Sequence, residues 1–362
     1  MFLGQQEPNI HVVKFRPDGV PDTTFGAGGF VSIECPHCIA KDVVELSDGK
    51  FLLAGETNFM VPEQPTDLLL ARLNADGSLD TTFGTNGFVF HDLQIEAGRF
   101  SDEHLFEIAL SPDGGILAAA ITGLSTNHIN KDANGLLIKF LPNGNLDPSF
   151  GFNGFRREPL GTEPTANAAS MANISTFANG KIAASFYARV RAANGTDLIE
   201  KSILKKYLAS GAADDTFSTV NFDSYPVMDI AAAADNGTLT LSGKKLYKYT
   251  PGGTLDLSFG ASGEVTFPNA SFPGFLSLQS SGKIYVTGYK AAQNGRNPGE
   301  IYRLWPNGLR DLRFGRSGSV LVRIAPQHTF LGPAFKESDG TLGLTGTVIP
   351  NNVHYVRILV AK

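Results

Sequence analysis

The sequence predicts an all-β fold, a β-propeller made of four-stranded blades. Three observations lead to this prediction: a 14-residue string occurs in six copies, pairs of short apolar runs flank Asp-Gly or Asn-Gly turns, and no segment keeps a helical period for longer than two turns. Sheet units that repeat every 42 to 67 residues are typical of propellers. A superhelical β-solenoid is the competing architecture, but its coils are usually shorter.

The repeated string has three columns that are the same in all copies. These columns are Gly19, Gly77, Gly144, Gly211, Gly253 and Gly308; Asp22, Asp80, Asp147, Asp214, Asp256 and Asp311; and Phe25, Phe83, Phe150, Phe217, Phe259 and Phe314. The glycine suits a tight turn with positive φ, and the aspartate can accept hydrogen bonds from the next backbone N–H groups as an Asx turn. The phenylalanine is expected to be buried, which stabilises a fold by roughly 1.5–3 kcal/mol. A ring of metal ligands is the functional alternative for the aspartates, but a residue that recurs in every unit is more simply turn chemistry.

Each unit is predicted to contain four strands, A to D. In the first unit they are residues 30–35, 42–47, 50–56 and 68–74. Asp-Gly or Asn-Gly between strands B and C is a strong hairpin signal. Each strand D carries a basic residue, and these residues are expected to protect exposed strand edges and to lay their stems over apolar surface. They are Lys14, Arg72, Lys139, Lys206, Lys248, Arg303 and Arg357.

The units are predicted to form six blades of one propeller domain, residues 1–362. The expected blades are residues 29–74, 87–140, 154–208, 221–249, 263–304 and 318–361. An extra strand, residues 11–16, is expected to join the last blade and to close the ring by pairing with the C-terminal strand. Ring closure removes sheet edges that would otherwise promote aggregation. Seven blades, one of them incomplete, are the alternative.

Two of the strings resemble a known group of proteins. ARLNADGSLDTTFGTNGF, from Ala71, and IKFLPNGNLDPSFGFNGF, from Ile138, are similar to the delta-60 repeat proteins, a bacterial group expected to form β-propellers. The resemblance extends from Val12 to the C-terminus, and the fourth copy departs from it because Ser218 and Asn221 replace glycines. The group has no assigned activity, so the resemblance implies a fold and no function.

The lengths of the connections vary at one end of the predicted sheets only. Between the D-strand basic residue and the last glycine position of the string the interval is 15 residues in every copy, whereas the intervals on either side of the B–C turn range from 11 to 27 residues. In an antiparallel sheet, the A–B and C–D connections emerge at one end, here called the variable end. The B–C and D–A connections emerge at the other, here called the turn end. Loops that vary on a rigid frame commonly carry function, so a partner is expected at the variable end. The longest loops there are residues 91–107, 121–135, 157–170 and 188–202.

Charged and aromatic residues near the ends of the A strands are the candidates for a site that faces a ligand or partner. Strand A is expected to line the central channel, and convergent polar groups at a channel mouth can hold polar ligands. The candidates are His91, Asp92, Glu103, His104, Arg156, Arg157, Asp223, Tyr225, Arg323 and His328. The alternative is that a water-filled channel simply needs polar walls. No catalytic residue, metal ligand or cofactor is assigned.

The two cysteines lie close together as Cys35-Pro36-His37-Cys38. The same sequence pattern occurs in redox motifs, whose first cysteine needs a helix N-terminus to stabilise its thiolate. Here the motif follows a predicted strand, so a loop with two thiols, free or locally bridged, is favoured. Redox catalysis and a half-built metal site that uses His37 are the alternatives.

The composition limits the classes of partner. The net charge is −5, which gives no sign of nucleic-acid binding, and no window approaches the roughly 18–20 apolar residues of a membrane-spanning helix. The first residues lack the pattern of a secretory signal. A monomer is expected, in the cytoplasm by default, with export or surface association open. No P-loop, nucleophile elbow or zinc-protease helix occurs.

The sequence favours a non-catalytic scaffold over an enzyme. The variable loops are predicted to hold a protein or a glycan at one end of the sheets. The alternative is a hydrolase, acting on a carbohydrate or another polar substrate, with its site at the channel mouth. In that case carboxylates such as Asp92 and Asp223 would carry the reaction.

Overall fold

Every regular element that the computed structural model describes is a β-strand, which confirms the predicted all-β class. The described backbone comprises residues 2–6, 9–14, 16, 20–57, 66–93, 100–125, 132–162, 170–191, 198–222, 225–269, 271–292, 297–323, 328–336, 342–349 and 356–358. The chain divides into two compact units. The first comprises Met1–Phe15, Pro21–Asp215 and Thr219–Pro226, and the second comprises Arg16–Val20, Thr216–Ser218 and Val227–Lys362. The single domain predicted for residues 1–362 stays a prediction.

The first unit contains strands β1 to β15. Their bounds are β1 Phe2–Gln6, β2 Asn9–Val13, β3 Phe30–Glu34, β4 Ile39–Glu45, β5 Phe51–Glu56, β6 Leu68–Leu73, β7 Phe88–His91, β8 Phe100–Leu110, β9 Ile116–Ser125, β10 Asp132–Phe140, β11 Phe155–Thr162, β12 Ser170–Thr176, β13 Ile182–Arg191, β14 Leu198–Tyr207 and β15 Val220–Phe222. They form one three-stranded sheet, β1-β2-β3, and three four-stranded sheets, β4 to β7, β8 to β11 and β12 to β15. All pairings are antiparallel.

The second unit contains strands β16 to β26. Their bounds are β16 Val227–Ala232, β17 Thr238–Ser242, β18 Lys245–Tyr249, β19 Glu264–Thr266, β20 Ser271–Leu278, β21 Ile284–Lys290, β22 Gly299–Leu304, β23 Ser319–Val322, β24 His328–Lys336, β25 Leu342–Ile349 and β26 Val356–Ile358. The sheets are β16 to β19, β20 to β23 and the three-stranded β24-β25-β26, and they too are antiparallel.

Each four-stranded sheet begins with a predicted strand B and ends with the strand A that follows the repeated string. In the second sheet, for example, β7 pairs with β6, with Val89 opposite Leu70. The reason is that the string folds back on itself as a hairpin: the Arg72 N–H donates to the Gly87 carbonyl at 3.0 Å. This corrects the predicted blade boundaries, because every sheet starts one strand later than 29–74, 87–140, 154–208, 221–249, 263–304 and 318–361 propose.

The described strands at the two ends of the chain belong to different sheets. Strand β2 contains residues 11–13, half of the segment 11–16 that was predicted to join the last blade, but both of its edges are already paired, one with β1 and one with β3. The C-terminal strands β24, β25 and β26 form a sheet of their own. The predicted pairing of segment 11–16 is therefore corrected. The six-blade and seven-blade interpretations differ in how these two three-stranded sheets are counted.

The first strand of each sheet faces its neighbours. In the first unit β4 contacts β8 and β8 contacts β12, and in the second β16 contacts β20. Acidic side chains within these strands accept hydrogen bonds from the backbone of the next sheet. The pairs are Asp42 Oδ2 with Ile108 N at 2.9 Å, Glu107 Oε2 with Ile174 N at 2.8 Å, and Asp229 Oδ2 with Leu276 N at 2.7 Å. The A strands lie at the opposite edge of each four-stranded sheet. That strand A lines a central channel stays a prediction.

The aspartate of the repeated string uses its two carboxylate oxygens in different ways. Oδ1 of Asp80 accepts hydrogen bonds from the backbone N–H and hydroxyl of Thr82 at 3.1 and 2.6 Å, which confirms the Asx turn. Oδ2 accepts from Lys50 Nζ and Arg72 Nε, both at 2.7 Å. The same ion pair with the strand-D basic residue recurs in other copies. The pairs are Lys14–Asp22 at 3.1 Å, Lys139–Asp147 at 3.3 Å, Lys248–Asp256 at 3.2 Å and Arg303–Asp311 at 2.9 Å. These basic residues therefore hold the string in place, a role that edge protection did not predict.

The fourth copy of the string keeps the aspartate and its ion pair with the lysine that follows the B–C turn. Asp214 pairs with Lys181, whose Nζ lies 2.7 Å from Oδ2. Lys206, the strand-D residue of this copy, places its Nζ 4.3 Å from the centre of the Phe177 ring. Lys50 and Lys283 make the same contact with Asp80 and Asp311, so the divergent copy retains this ion pair.

Successive strings pack against one another through the repeated glycine and phenylalanine. Phe83 and Phe150 are 0% and 1% exposed. Gly144 has a φ of +89°, and a Cβ on it would lie 2.8 Å from the Phe83 ring and 2.5 Å from Val89, so the third string packs on the second through this glycine. A backbone bond from the Gly151 N–H to the Ser210 carbonyl at 2.7 Å joins the third string to the fourth. The repeated columns are structural.

The motif aspartates make the protein sensitive to acid. Hydrogen bonds from Lys50 and Thr82 hold the pKa of Asp80 well below its usual value, and bonds from Ser149 and Lys139 lower that of Asp147. An acid whose folded pKa is depressed stabilises the fold above its unfolded pKa, about 3.9 for aspartate, and that contribution is lost as the pH falls further. We expect the free energy of unfolding to fall steadily below pH 4, measured by urea denaturation at pH 5, 4 and 3. A constant value over this range would contradict the assignment.

The two cysteines form a disulfide bond between Cys35 and Cys38. Both are buried, at 6% and 5% exposure, and belong to the core that β2, β3 and β5 share. Of the predicted alternatives, the locally bridged loop is the one observed.

Candidate functional site

The turn end is uniform in the described residues. Five B–C turns close with the same backbone hydrogen bond, in which the residue that follows the first strand donates to the carbonyl four residues later. The donors are Leu46, Ser111, Phe177, Ala233 and Gln279, with distances of 2.8 to 2.9 Å. These turns therefore share both their length and their backbone bonding.

The variable end differs from sheet to sheet. The C–D connection is two residues, 243–244, between β17 and β18, but it spans residues 57–67 between β5 and β6. The predicted loops are in part strand: β9 and β10 pair as far as Leu124 opposite Asp132, and β13 and β14 as far as Arg191 opposite Leu198. The third and fourth sheets thus project as longer hairpins at this end.

Three carboxylates converge at the variable end of the second sheet. Asp67 precedes β6, Asp92 follows β7, and Glu103 lies in β8, the first strand of the third sheet. One carboxylate oxygen from each lies within 4.8 Å of the others. Among the described residues this is the group with the spacing expected for metal ligands.

Backbone hydrogen bonds fix the relative positions of these residues. The Glu103 N–H donates to the Thr66 carbonyl at 3.0 Å, and the Thr66 N–H donates to Asp102 Oδ1 at 3.3 Å. The Thr57 N–H donates to the Asp67 carbonyl at 2.9 Å. The end of the C–D connection is therefore fastened both to its own sheet and to the next one.

Burial and mutual repulsion dominate the electrostatics of the cluster. Glu103 is fully buried, and desolvation, reinforced by the charges of Asp92 and Asp67, raises its pKa to about 8. Desolvation and Asp92 also raise the pKa of Asp67. Neither carboxylate oxygen of Glu103 has a hydrogen-bond partner of normal geometry among the described residues, and the nearby Ser101 side chain lowers its pKa by less than burial raises it. Such a carboxyl either keeps its proton or requires a bound positive charge.

The structure brings together only some of the candidate residues that the sequence predicted. Asp92 and Glu103 belong to the cluster. His104 is close by but engages Glu56, with 3.3 Å between Nδ1 and Oε2. His91 donates from Nε2 to the Gly144 carbonyl at 3.1 Å and lies against Phe140, so it serves the packing between sheets.

The remaining candidates lie elsewhere. Arg156 and Arg157 lie in the first half of β11, at the edge of the third sheet, where Arg156 pairs with Glu158 at 2.9 Å. Tyr225 is 63% exposed between β15 and β16, and Arg323 is exposed directly after β23. His328 begins β24, and its side chain lies outside the described residues, as does Asp223 altogether.

Two acidic residues were not predicted, one of them in the cluster and the other beside it. Asp67 stands alone before an apolar strand, and Glu56 is a fully buried residue at the end of β5. Neither belongs to a repeated column, so the sequence held no signal for them beyond an acidic residue beside an apolar run.

Comparison with known proteins supports the fold. The family described as "Domain of unknown function (DUF5122) beta-propeller" matches residues 46–83 and 279–314. Each matched segment runs from a B–C turn to the phenylalanine of the next string. The β-propeller class is therefore confirmed, while the finer resemblance to delta-60 repeat proteins stays a prediction. No helix of the described part of the chain is long and apolar enough to cross a membrane.

Several solved structures are similar at low identity. They include a polysaccharide lyase, an ulvan lyase of family PL25 (8% identity, 99% of this chain and 91% of that chain, TM-score 0.47), and a glucose dehydrogenase (11%, 88% and 100%, TM-score 0.43). A GH93 α-L-arabinofuranosidase of Fusarium graminearum is a third (8%, 82% and 85%, TM-score 0.42). None of these similarities transfers an activity to this chain. No curated protein matches.

Proposed function

We propose that this protein is a non-catalytic binding module that holds a protein or glycan partner at its variable end. The observation that supports this best is the contrast between the two ends of the sheets. The B–C turns repeat one bonding pattern, whereas the C–D connections range from residues 243–244 to residues 57–67. A rigid frame with varied connections is how repeat proteins present binding residues. We also infer that the chain is a delta-60 repeat protein, on the strength of its six strings.

Exposed aromatic residues at the variable end are suitable contact points. Tyr225 is 63% exposed in the first unit. In the second unit Phe272, at the start of β20, is 40% exposed and stacks on Tyr289 with 4.9 Å between ring centres. Lys244 places its Nζ 4.8 Å from the centre of the Phe272 ring. Flat aromatic faces beside charged groups are frequent at both protein and glycan interfaces.

A hydrolase is the less favoured function. The raised pKa of Glu103 is what a general acid needs, and carboxylates lie nearby. However, a general acid must contact the bond that breaks, and both oxygens of Glu103 are buried from solvent. The burial of Glu103 therefore favours binding over catalysis.

The proposal is tested by pull-down and glycan array with the whole chain and two variants. The first variant replaces Tyr225 and Phe272 by alanine. The second replaces Leu257 and Leu312, which are 70% and 69% exposed on the repeated strings at the turn end. We expect binding to fall at least tenfold in the first and to stay unchanged in the second.

The opposite pattern, with binding lost only in the Leu257 and Leu312 variant, would place the partner at the turn end. The two assays distinguish the class of partner, because a glycan ligand appears on the array without any second protein. Hydrolysis of an arrayed glycan by wild-type protein, lost in Glu103→Gln, would favour the enzyme instead.

A further inference from the structure

We propose that Asp67, Asp92 and Glu103 bind one calcium ion, which joins the second sheet to the third. One carboxylate oxygen from each residue lies within 4.8 Å of the other two. A single ion with calcium–oxygen bonds of roughly 2.3–2.6 Å can contact all three at this spacing. This site is independent of the partner proposed above, because it requires only the ion.

A second observation points to a ligand at the same place. Glu103 is 0% exposed, and neither of its carboxylate oxygens has a hydrogen-bond partner of normal geometry among the described residues. Thr122, directly opposite Glu103 on β9, is also 0% exposed, and its hydroxyl is unpartnered in the same part of the chain. The buried hydroxyl of Thr66, beside Asp67, is a further such atom. Buried polar atoms normally have hydrogen-bond partners. The four unpartnered oxygens of Glu103, Thr122 and Thr66 therefore indicate a bound group.

The donor set selects a hard divalent cation, and among these it favours calcium. All three side chains offer carboxylate oxygen, which calcium and magnesium prefer, and none offers the sulfur or imidazole nitrogen that zinc commonly takes. Magnesium needs near-ideal octahedral geometry at about 2.0–2.1 Å, and calcium accepts irregular sites with longer bonds. Carboxylates spread over as much as 4.8 Å suit the larger ion.

The position of the cluster gives the ion a structural consequence. In the second sheet, Asp67 directly precedes β6 and Asp92 directly follows β7. Glu103 belongs to β8, the first strand of the third sheet. The charges that act on Glu103 are those of Asp92, Asp67 and Asp102, all negative. A bound cation would neutralise this repulsion and tie together two connections of the variable end. Calcium is thus expected to stabilise the protein as well as to bind it.

Isothermal titration of the EDTA-dialysed full chain with calcium chloride tests the proposal. We expect one binding event, with at least tenfold weaker affinity in Glu103→Gln and in Asp92→Asn. Calcium should also raise the melting temperature of the wild type by several degrees and that of the variants by much less. Asp92 is exposed, so its variant should fold even if the Glu103 variant does not.

Glu45→Gln is the matched control, because Glu45 is an exposed glutamate at the turn end of β4. It should bind calcium like the wild type. Absence of binding at 10 mM calcium, or equal affinity in all four proteins, would overturn the site. Binding of magnesium as tight as that of calcium would overturn the choice of ion.

Discussion

Replacing Phe83 by alanine is expected to destabilise the protein by about 3–5 kcal/mol, as for other large-to-small changes of a buried aromatic residue. Phe83 is 0% exposed and packs with Leu70, Val89 and Leu105 in the core between the second and third sheets. The Arg72 guanidinium also lies 4.5 Å from its ring centre, and this contact would be lost. Urea denaturation at pH 7, followed by circular dichroism, measures the change.

Phe152 provides the matched control, since it stands two residues after the anchor Phe150 in the third string and is 74% exposed. Its replacement by alanine should change the free energy of unfolding by less than about 0.5 kcal/mol. Similar losses in the two variants would mean that the repeated phenylalanine column does not anchor the sheets.

Replacing Asp80 by asparagine is expected to cost about 3 kcal/mol, because it leaves two basic groups beside a neutral side chain. Asp80 is 3% exposed, and its Oδ2 lies 2.7 Å from both Lys50 Nζ and Arg72 Nε. Asparagine keeps an oxygen for Thr82 but removes the charge. The loss should also shrink below pH 4, because the Asp80 carboxylate of the unfolded wild-type chain becomes protonated there and the advantage of the folded-state ion pairs falls.

Asp76 is the control for this change, because it lies exposed in the same string and its carboxylate accepts hydrogen bonds from the neighbouring Ser78. Asp76→Asn should cost far less than Asp80→Asn, as is usual for exposed groups. An equal cost for the two variants would show that the ion pairs of the string contribute nothing beyond a local turn.

The repeated columns were predictable because each is explained by its own neighbours. Asp80 binds Thr82 two residues later, and the spacing of eight residues between Arg72 and Asp80 recurs in the other copies. That constant spacing could have predicted the ion pair, but the basic residues were interpreted as protecting strand edges. The anchor phenylalanine was predictable from its recurrence in every copy.

The division into sheets was not predictable in the same way. In a hairpin such as β4–β5, the tight turn predicts that the two strands pair. Strands β6 and β7 are instead joined by the whole 14-residue string. Read as a linker between blades, that string gave the wrong boundaries. Its own backbone bonds, such as Asp80 N–H to the Arg72 carbonyl at 2.9 Å, make it part of the sheet.

The candidate site was predictable only in outline. The variable end follows from connection lengths, and Asp92 and Glu103 were among the candidates. Their partner Asp67 lies 36 residues before Glu103, and only the pairing of β6 with β7 and the contact of β8 with the second sheet bring it close. No spacing in the sequence records such a tertiary arrangement.

The central claim is that repeated aspartates hold the fold and that non-repeated carboxylates bind. Anomalous diffraction from crystals grown with calcium tests both halves at once. We expect one calcium peak among Asp67, Asp92 and Glu103, and none at Asp22, Asp80, Asp147, Asp214, Asp256 or Asp311. Peaks at the repeated aspartates, or no peak at the cluster, would contradict the account.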